Sequence, residues 1–308
     1  MRRPPHGRRP PVPRRPPAPA PRSRSSRATL ASIDVTGAEF GAFRRLMHSR
    51  FGIVLPDDAE NFLRSRLLGY IGQSGHASIA ELIRDARSEG RDELLGEVVE
   101  QLSTNHSYFY REPAHFEFLQ ATVLPELERR LSRGGRGDIR IWSAAAAAGE
   151  EAYTIAMAMR SFFGPRYDNL DAGVLATDIA ARSLRRGAIG EFKADAFRHL
   201  PEAWRSRFLE PAGGDMYRVV KAVRDDVMFR WLNLVEPLDR LKGGFHLIFC
   251  RNVMIYFDDA TREKLVRELE RLLAPGGYLF IGHTDNPDHS RQYLDQVRPA
   301  IFRKRGTA

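Results

Sequence analysis

From about Ser32 to Thr104 apolar residues recur at helical spacing; after about Pro113 short apolar runs alternate with amphipathic stretches. In the first region Phe40, Phe43, Leu46 and Met47 form one stripe. Pro56 suits the start of a second helix, with Phe62, Leu63, Arg66 and Leu67 along it. Two shorter amphipathic segments follow, ASIAELIRDARSEG and DELLGEVVEQLST. Core packing is the ordinary use of such stripes, so the region reads as a small N-terminal helical domain over 31–104.

A helix over 113–131 then leads through the glycine-rich SRGGRGD to a new pattern. Strands are expected at 138–143, 172–177, 245–250 and 277–282, with helices at 149–162, 180–188 and 259–273. Strands alternating with helices of this length predict an α/β domain with a doubly wound, mostly parallel sheet covered on both faces. YRVVKAVRDDVMFRWLNL, 217–234, alternates in the manner of antiparallel strands. It is expected to form a small antiparallel β insertion at about 210–232, turning at RDD, and YLDQVRPAIFRKR closes the chain with two more strands. The organisation expected is a tail over 1–30, the helical domain over 31–104, a linker and connecting helix over 105–135, and the α/β domain over 136–308.

Charge changes this picture only at the tail. The formal net charge is +9, but residues 1–30 hold nine arginines, nine prolines and no acid. The remaining 39 basic residues face 39 acidic ones, so the body is neutral and a nucleic-acid-binding surface is disfavoured. The tail is expected to be disordered with extended polyproline character. It reads as a solubilising leader, or as the product of a start placed too far upstream. The other reading is an arm for acidic lipid, nucleic acid or a proline-recognising domain. No apolar run approaches the ~18 residues of a membrane span, and prolines fill the place of a signal-peptide core. One cysteine, Cys250, excludes an internal disulfide and a CxxC zinc site, and no histidine pair has HExxH spacing. A cytoplasmic monomer that is not a membrane protein and holds no metal is the expectation.

In an open α/β sheet ligands bind where the strands end at their carboxyl side. Those ends here carry Ser143, Asp178, Arg251 with Asn252, and His283, Thr284 and Asp285. Where a dinucleotide-binding turn would hold several glycines, five alanines, Ala144 to Ala148, precede the single Gly149. Taken alone, SAAAAAGEE is open to two readings: a ligand loop, or an alanine-rich helix start packed on the sheet. A pyrophosphate needs close approach and several free N–H groups, whereas a ligand without phosphates accepts an alanine turn. Asp178 is placed to accept ribose hydroxyls, to cap the following helix, or to do both. The pair points to a phosphate-free nucleoside cofactor, of which S-adenosylmethionine is the obvious member. Cys250 ends a buried strand and is not a nucleophile candidate.

Five blocks then occur in order: TNHSYFYRE at 104–112, WSAAAAAGEEAYTIAM at 142–157, LATDI at 175–179, FCRNVMIYFD at 249–258 and LLAPGGYLFIGHTDN at 272–286. Through them the chain, from about residue 36 to its end, resembles the CheR-type chemotaxis receptor methyltransferases. The resemblance implies a class I methyltransferase-like fold with a helical N-terminal domain and a β insertion. It further implies methyl transfer from S-adenosylmethionine, leaving S-adenosylhomocysteine, to glutamate side chains on the cytoplasmic domains of methyl-accepting chemoreceptors. By the same resemblance Asn105, Ser107, Arg111, Glu151 and Asp178 contact the cofactor, Asn233 and Leu234 flank its adenine, and Arg251 and Asn252 line its pocket. Arg111 and Tyr256 fall near the transferred methyl group and the acceptor carboxylate. Ala147 and Ala148 replace the family's usual Ser-Thr, and Thr284-Asp285 its usual Ser-Glu. Two rivals are a methyltransferase for another acceptor and a non-catalytic docking module. RNVMIYF in place of an NPPY-like turn argues against a nucleic-acid amine methylase, and the presence of Arg111 and Tyr256 against the docking module.

Overall fold

Thr36 opens the first helix, α1 (Gly37–Phe51), with a reciprocal cap. Its hydroxyl accepts from the Glu39 N–H at 3.2 Å, and the Glu39 carboxylate accepts from the Thr36 N–H at 3.0 Å. Gly52, at φ 67, ends the helix in the left-handed conformation. The buried face is Phe40, Phe43, Leu46, Met47 and Phe51, each contributing on the order of 2 kcal/mol of apolar burial. The computed structural model describes residues 36–55, 60–88, 92–102, 107–132, 138–286 and 288–306. The 1–30 tail, Pro56 and Asn105 lie outside these, as do the side chains of Phe62 and Leu63.

Helices α2 (Glu60–Ser74), α3 (Ile79–Ala86) and α4 (Asp92–Leu102) complete the N-terminal unit. Arg66 of α2 donates to the Gln101 carbonyl of α4 at 2.8 Å, so it ties helices together. A continuous helix follows, α5 (Pro113–Phe118) running through a single π turn at Leu119–Val123 into α6 (Leu124–Ser132). Next come β1 (Asp138–Ala144), α7 (Glu150–Phe163), β2 (Asp171–Asp178) and α8 (Ala181–Ile189). After them stand β3 (Glu191–Lys193), α9 (Glu202–Phe208), β4 (Leu209–Gly213), β5 (Met216–Val219), α10 (Lys221–Asp225) and β6 (Val227–Trp231). The chain closes with β7 (Phe245–Cys250), α11 (Asp259–Leu272), β8 (Leu273–Ile281), α12 (Asp288–Tyr293), β9 (Asp295–Arg298) and β10 (Ile301–Arg303). No helix among the described residues is long and apolar enough to cross a membrane.

Seven strands form one sheet in the order β6-β2-β1-β7-β8-β10-β9. The first five are parallel, and β10 runs antiparallel to both β8 and β9. From β1 the chain moves outward to β2 and β6, then returns to β7 on the other side of β1. The strand order therefore reverses between β1 and β7, and a crevice opens there at the carboxyl ends. Successive side chains of each central strand enter opposite cores. Trp142, Ile248, Cys250 and Leu279 pack with α1 and α11, while Ile141, Leu247, Phe249 and Phe280 pack with α5 and α7.

The antiparallel insertion is real but begins and ends earlier than the expected 210–232: β4 and β5 stand at the start of that range, and β3 precedes it. Its sheet has the order β3-β5-β4, drawn from 191–219. Val227–Trp231, expected within it, is instead the edge strand β6 of the main sheet, parallel to β2, with Val174 opposite Val227. The RDD segment belongs to α10 and its end. An edge strand with one face against helices and one toward solvent alternates whichever way its neighbour runs. The alternation was a sign of exposure and carried no information on direction.

Candidate active site

The crevice is a cavity walled by both parts of the chain. Phe51, Ile53, Val99 and Glu100 come from the helical unit, Ser107, Tyr108, Arg111 and Phe116 from α5 and the segment before it, and the strand-end loops with the start of α8 supply the rest. Contact between the two parts is close: a Cβ on Gly96 of α4 would lie 2.0 Å from the Ile179 carbonyl. The Val54 N–H also donates to the Tyr256 carbonyl at 2.8 Å.

The alanine loop lines this cavity, with Ala145, Ala146 and Ala147 on its wall. Its backbone is that of a glycine turn: φ is 60 at Ala145, 50 at Ala147 and 91 at Gly149. Left-handed alanines store about 1–2 kcal/mol each. The amides turn inward. Ala146 N–H donates to the Thr177 carbonyl at 2.9 Å, Gly149 N–H to the Ala146 carbonyl at 2.8 Å, and Ala147 N–H to Asp178 Oδ2 at 2.8 Å. A loop whose amides bond within the protein is no phosphate cradle, yet its small side chains leave room for a nucleoside. Asp178 also accepts from the Ala180 N–H at 2.8 Å on its other oxygen, just ahead of α8. Burial pushes its carboxyl above the usual range, against the pull of these N–H bonds.

Arg251 joins the two sides. Its side chain is 2% exposed. One guanidinium nitrogen donates to Glu151 Oε2 at 3.0 Å; the other reaches the Arg111 carbonyl at 2.6 Å and stands 3.1 Å from Glu112 Oε2. Ser143 donates to the other Glu151 oxygen at 2.6 Å. Burial pushes Glu151 up, with Arg251 pulling it back. At Glu112 burial also raises the carboxyl, but Arg251 and the hydrogen bonds from Asn252 and Arg251 prevail and hold it below the usual range.

The loop after β7 carries Asn252 in the left-handed region, φ 56, then a short turn Met254–Tyr256. The Asn252 amide side chain donates to Glu112 Oε1 at 3.2 Å. Tyr256 lines the cavity, as does Arg111. The Arg111 guanidinium stands 6.0 Å from the Tyr108 ring and, among the described residues, forms no ion pair or side-chain hydrogen bond.

Ser107, Arg111, Glu151, Asp178, Asn233, Leu234, Arg251, Asn252 and Tyr256 therefore line one cavity. Asn105 lies outside the described residues. Asn233 also braces the helical unit, since its side-chain amide donates to the Arg50 carbonyl at 2.8 Å and holds the end of α1. His283, a candidate to shape the pocket, is half-exposed and not part of the cavity wall. Sequence reading missed Glu112, which directly follows Arg111 in TNHSYFYRE, and the apolar wall from Phe51 and Ile53. It had no signal for the wall, because a cavity-facing phenylalanine and a core one look alike in a helical stripe. Glu112, His115 and His283 bring potential ligand atoms within 4.8 Å of one another. The Arg251 guanidinium beside Glu112 competes with any cation there. Burial first, then Arg251, hold His115 down to about 3, so its ring is neutral.

Residues 105–301 match the family model described as CheR methyltransferase, SAM binding domain, and residues 38–103 the CheR methyltransferase all-alpha domain. The chain belongs to the CheR methyltransferase family. It is similar to the chemotaxis protein methyltransferase of Borreliella burgdorferi, 33% identical over 274 residues that cover 89% of this chain and 96% of that one. Chemotaxis protein methyltransferase 1 of Pseudomonas aeruginosa is 34% identical over 277 residues, covering 88% and 98%. A probable chemotaxis protein methyltransferase of Rhizobium etli is 36% identical over 266 residues, covering 84% and 96%. As a CheR protein this chain is a methyltransferase that uses S-adenosylmethionine, and the docking-module reading is not favoured. The residues fit that cofactor. The alanine loop suits a nucleoside without phosphate, and the carboxylates lining the cavity, Glu100, Glu151 and Asp178, outnumber the guanidinium groups of Arg111 and Arg251 there. That excess of negative charge suits a sulfonium.

Proposed function

We propose that the protein methylates glutamate side-chain carboxylates on the cytoplasmic domains of bacterial chemoreceptors, giving glutamyl methyl esters. The observation that carries this reading is Arg111: in a cavity rich in carboxylates, it is the cation without an acid of its own among the described residues. An incoming carboxylate supplies the missing partner. S-adenosylmethionine, when bound, supplies an electrophilic methyl group on a sulfonium that departs as a neutral thioether. A glutamate carboxylate, with an unperturbed pKa of ~4.3, is already ionised at neutral pH, so the chain needs no general base. Its work is alignment and exclusion of water. Arg111 orients the acceptor by charge-assisted hydrogen bonds, and Tyr256 places it through its hydroxyl. Asp178 takes the ribose, Asn233 and Leu234 flank the adenine, and Asn105, Ser107, Glu151, Arg251 and Asn252 hold the remainder of the cofactor. Cys250 takes no part, since it is fully buried and burial pushes its thiol up. The reaction so drawn uses no metal, and the enzyme acts as a cytoplasmic monomer.

Incubation with radiolabelled S-adenosylmethionine and receptor cytoplasmic domains tests the proposal. Base-labile label on receptor glutamates is the expected result. Tight cofactor binding with no label on any receptor domain would overturn it, and label on a small carboxylate or a nucleic acid instead would establish the rival acceptor.

A further inference from the structure

Asp285 does not line the cavity, yet it holds the loop that does. It lies just beyond β8 and is 4% exposed. Its Oδ2 accepts from the Asn252 N–H at 2.7 Å and the Gly282 N–H at 2.8 Å, and its Oδ1 from the Ile255 N–H at 3.1 Å. Two of these three donors belong to the loop between β7 and α11. A buried carboxylate with three backbone donors is a strong, charge-assisted clamp, and without it those amides are left unsatisfied. Asn252 sits at φ 56, a conformation asparagine tolerates better than other residues with a side chain but one its surroundings help to hold. Its bond to Asp285 is one such constraint. Ile255 is the middle residue of the turn Met254–Tyr256, so its bond sets the turn that ends in Tyr256. Gly282 is confined by the same arrangement: a Cβ there would lie 2.4 Å from Asn252 Nδ2.

Resting on the acceptor-side reading of Tyr256, we propose that Asp285 is a positioning residue for methyl transfer. It clamps residues 251–257 from the neighbouring strand, so that Tyr256 presents one geometry to the acceptor. Its contribution is larger for turnover than for cofactor affinity, because Asn252 is one cofactor contact among several, and Asp178, Glu151 and the alanine loop are held by bonds of their own.

Asp285→Asn keeps the shape but removes an oxygen that accepts. Three measurements are made on it and on the wild type: kcat for transfer to a receptor domain, Kd for S-adenosylhomocysteine, and amide exchange over 251–257. The expected result is a fall in kcat of about 30- to 100-fold, the scale of an ångström-sized misplacement, with Kd changed less than about threefold. Exchange at Asn252 and Ile255 should quicken. Gly282→Ala, which presses on Asn252 from the other side of the clamp, should show the same split and serves if Asp285→Asn does not fold. Unchanged kcat, unchanged exchange, or a loss of kcat matched by an equal loss of cofactor binding would overturn the proposal. A wild type that labels no receptor would sink only the acceptor reading, since the exchange comparison needs no acceptor.

Discussion

Two loops flank the point where the strand order reverses, and each is clasped by an aspartate from the next strand outward. Residues 145–149 after β1 hang on Asp178 at the end of β2; residues 251–257 after β7 hang on Asp285 beyond β8. Both contain residues with side chains in the left-handed conformation. They differ in what the clasp can reach. Asp178 lines the cavity and can serve a ligand as well as its loop, whereas Asp285 is shut away behind its loop. They differ also in cargo: the first loop presents methyl groups, the second a guanidinium, an amide and a phenol. One architectural device thus makes a space on one side and an array of functional groups on the other.

The largest effect is expected at Arg251, which spans both sides. Arg251→Met leaves Glu151 and Glu112 buried without their cation, which should lower unfolding free energy by about 3–5 kcal/mol in a denaturant titration. A loss below about 1 kcal/mol would mean that the two sides are energetically independent. Asp178→Asn comes next and sharpens the comparison. It should weaken S-adenosylhomocysteine binding by about 30-fold in calorimetry, roughly 2 kcal/mol for a charged hydrogen-bonding group. A variant that binds normally but turns over slowly would make the two clasps equivalent.

Asp258, just past the second loop, should have a smaller effect. It caps α11 through the Thr261 N–H at 2.8 Å and bonds His48 of α1 at 2.7 Å. Asparagine caps as well as aspartate, so Asp258→Asn loses only the half-exposed charge pairing with His48 and should cost up to about 1 kcal/mol at neutral pH. The His48 bond first, then the Thr261 donors, hold Asp258 down to about 2 from its ordinary 3.8. A depressed acid stabilises the fold fully above its unfolded pKa and loses that contribution as pH falls through the folded one. The gap between wild type and variant should therefore close between about pH 4 and about pH 2, read by thermal unfolding across that range. Smallest is the alanine loop. Releasing a left-handed alanine gains about 1–2 kcal/mol, while glycine's freedom in the unfolded chain costs about 0.4–1 kcal/mol. Ala145→Gly and Ala147→Gly should each stabilise by roughly 0.5 kcal/mol with cofactor affinity unchanged, the strain term winning narrowly. Destabilisation would show that methyl packing, and not backbone strain, governs the first loop.

Much of this was legible from local pattern. The α1 stripe, the central parallel strands and the polar residues at their ends all stand where periodicity placed them, because each depends on neighbours a few positions away. The alanine stretch was half-legible. Its apolar smallness could be read, but the direction of its amides depends on Thr177 and Asp178, some 30 residues on. Asn233 was marked as a cofactor neighbour; that it holds Arg50, 183 positions earlier, could not be seen. Direction was likewise invisible in β6, since edge strands alternate by exposure alone.

The sequence by itself determined an α/β domain behind a helical one, polar groups at the carboxyl ends of the strands, and a turn too alanine-rich for a pyrophosphate. Tertiary structure decided that Val227–Trp231 joins the main sheet, that Arg251 bridges Glu151 to Glu112, and that Asp285 faces its loop and not the cavity. The physical reason is the range of the forces involved. Side-chain periodicity is set within a turn or a pleat, whereas a buried charge finds its partners only when distant strands lie side by side and exclude water from between them.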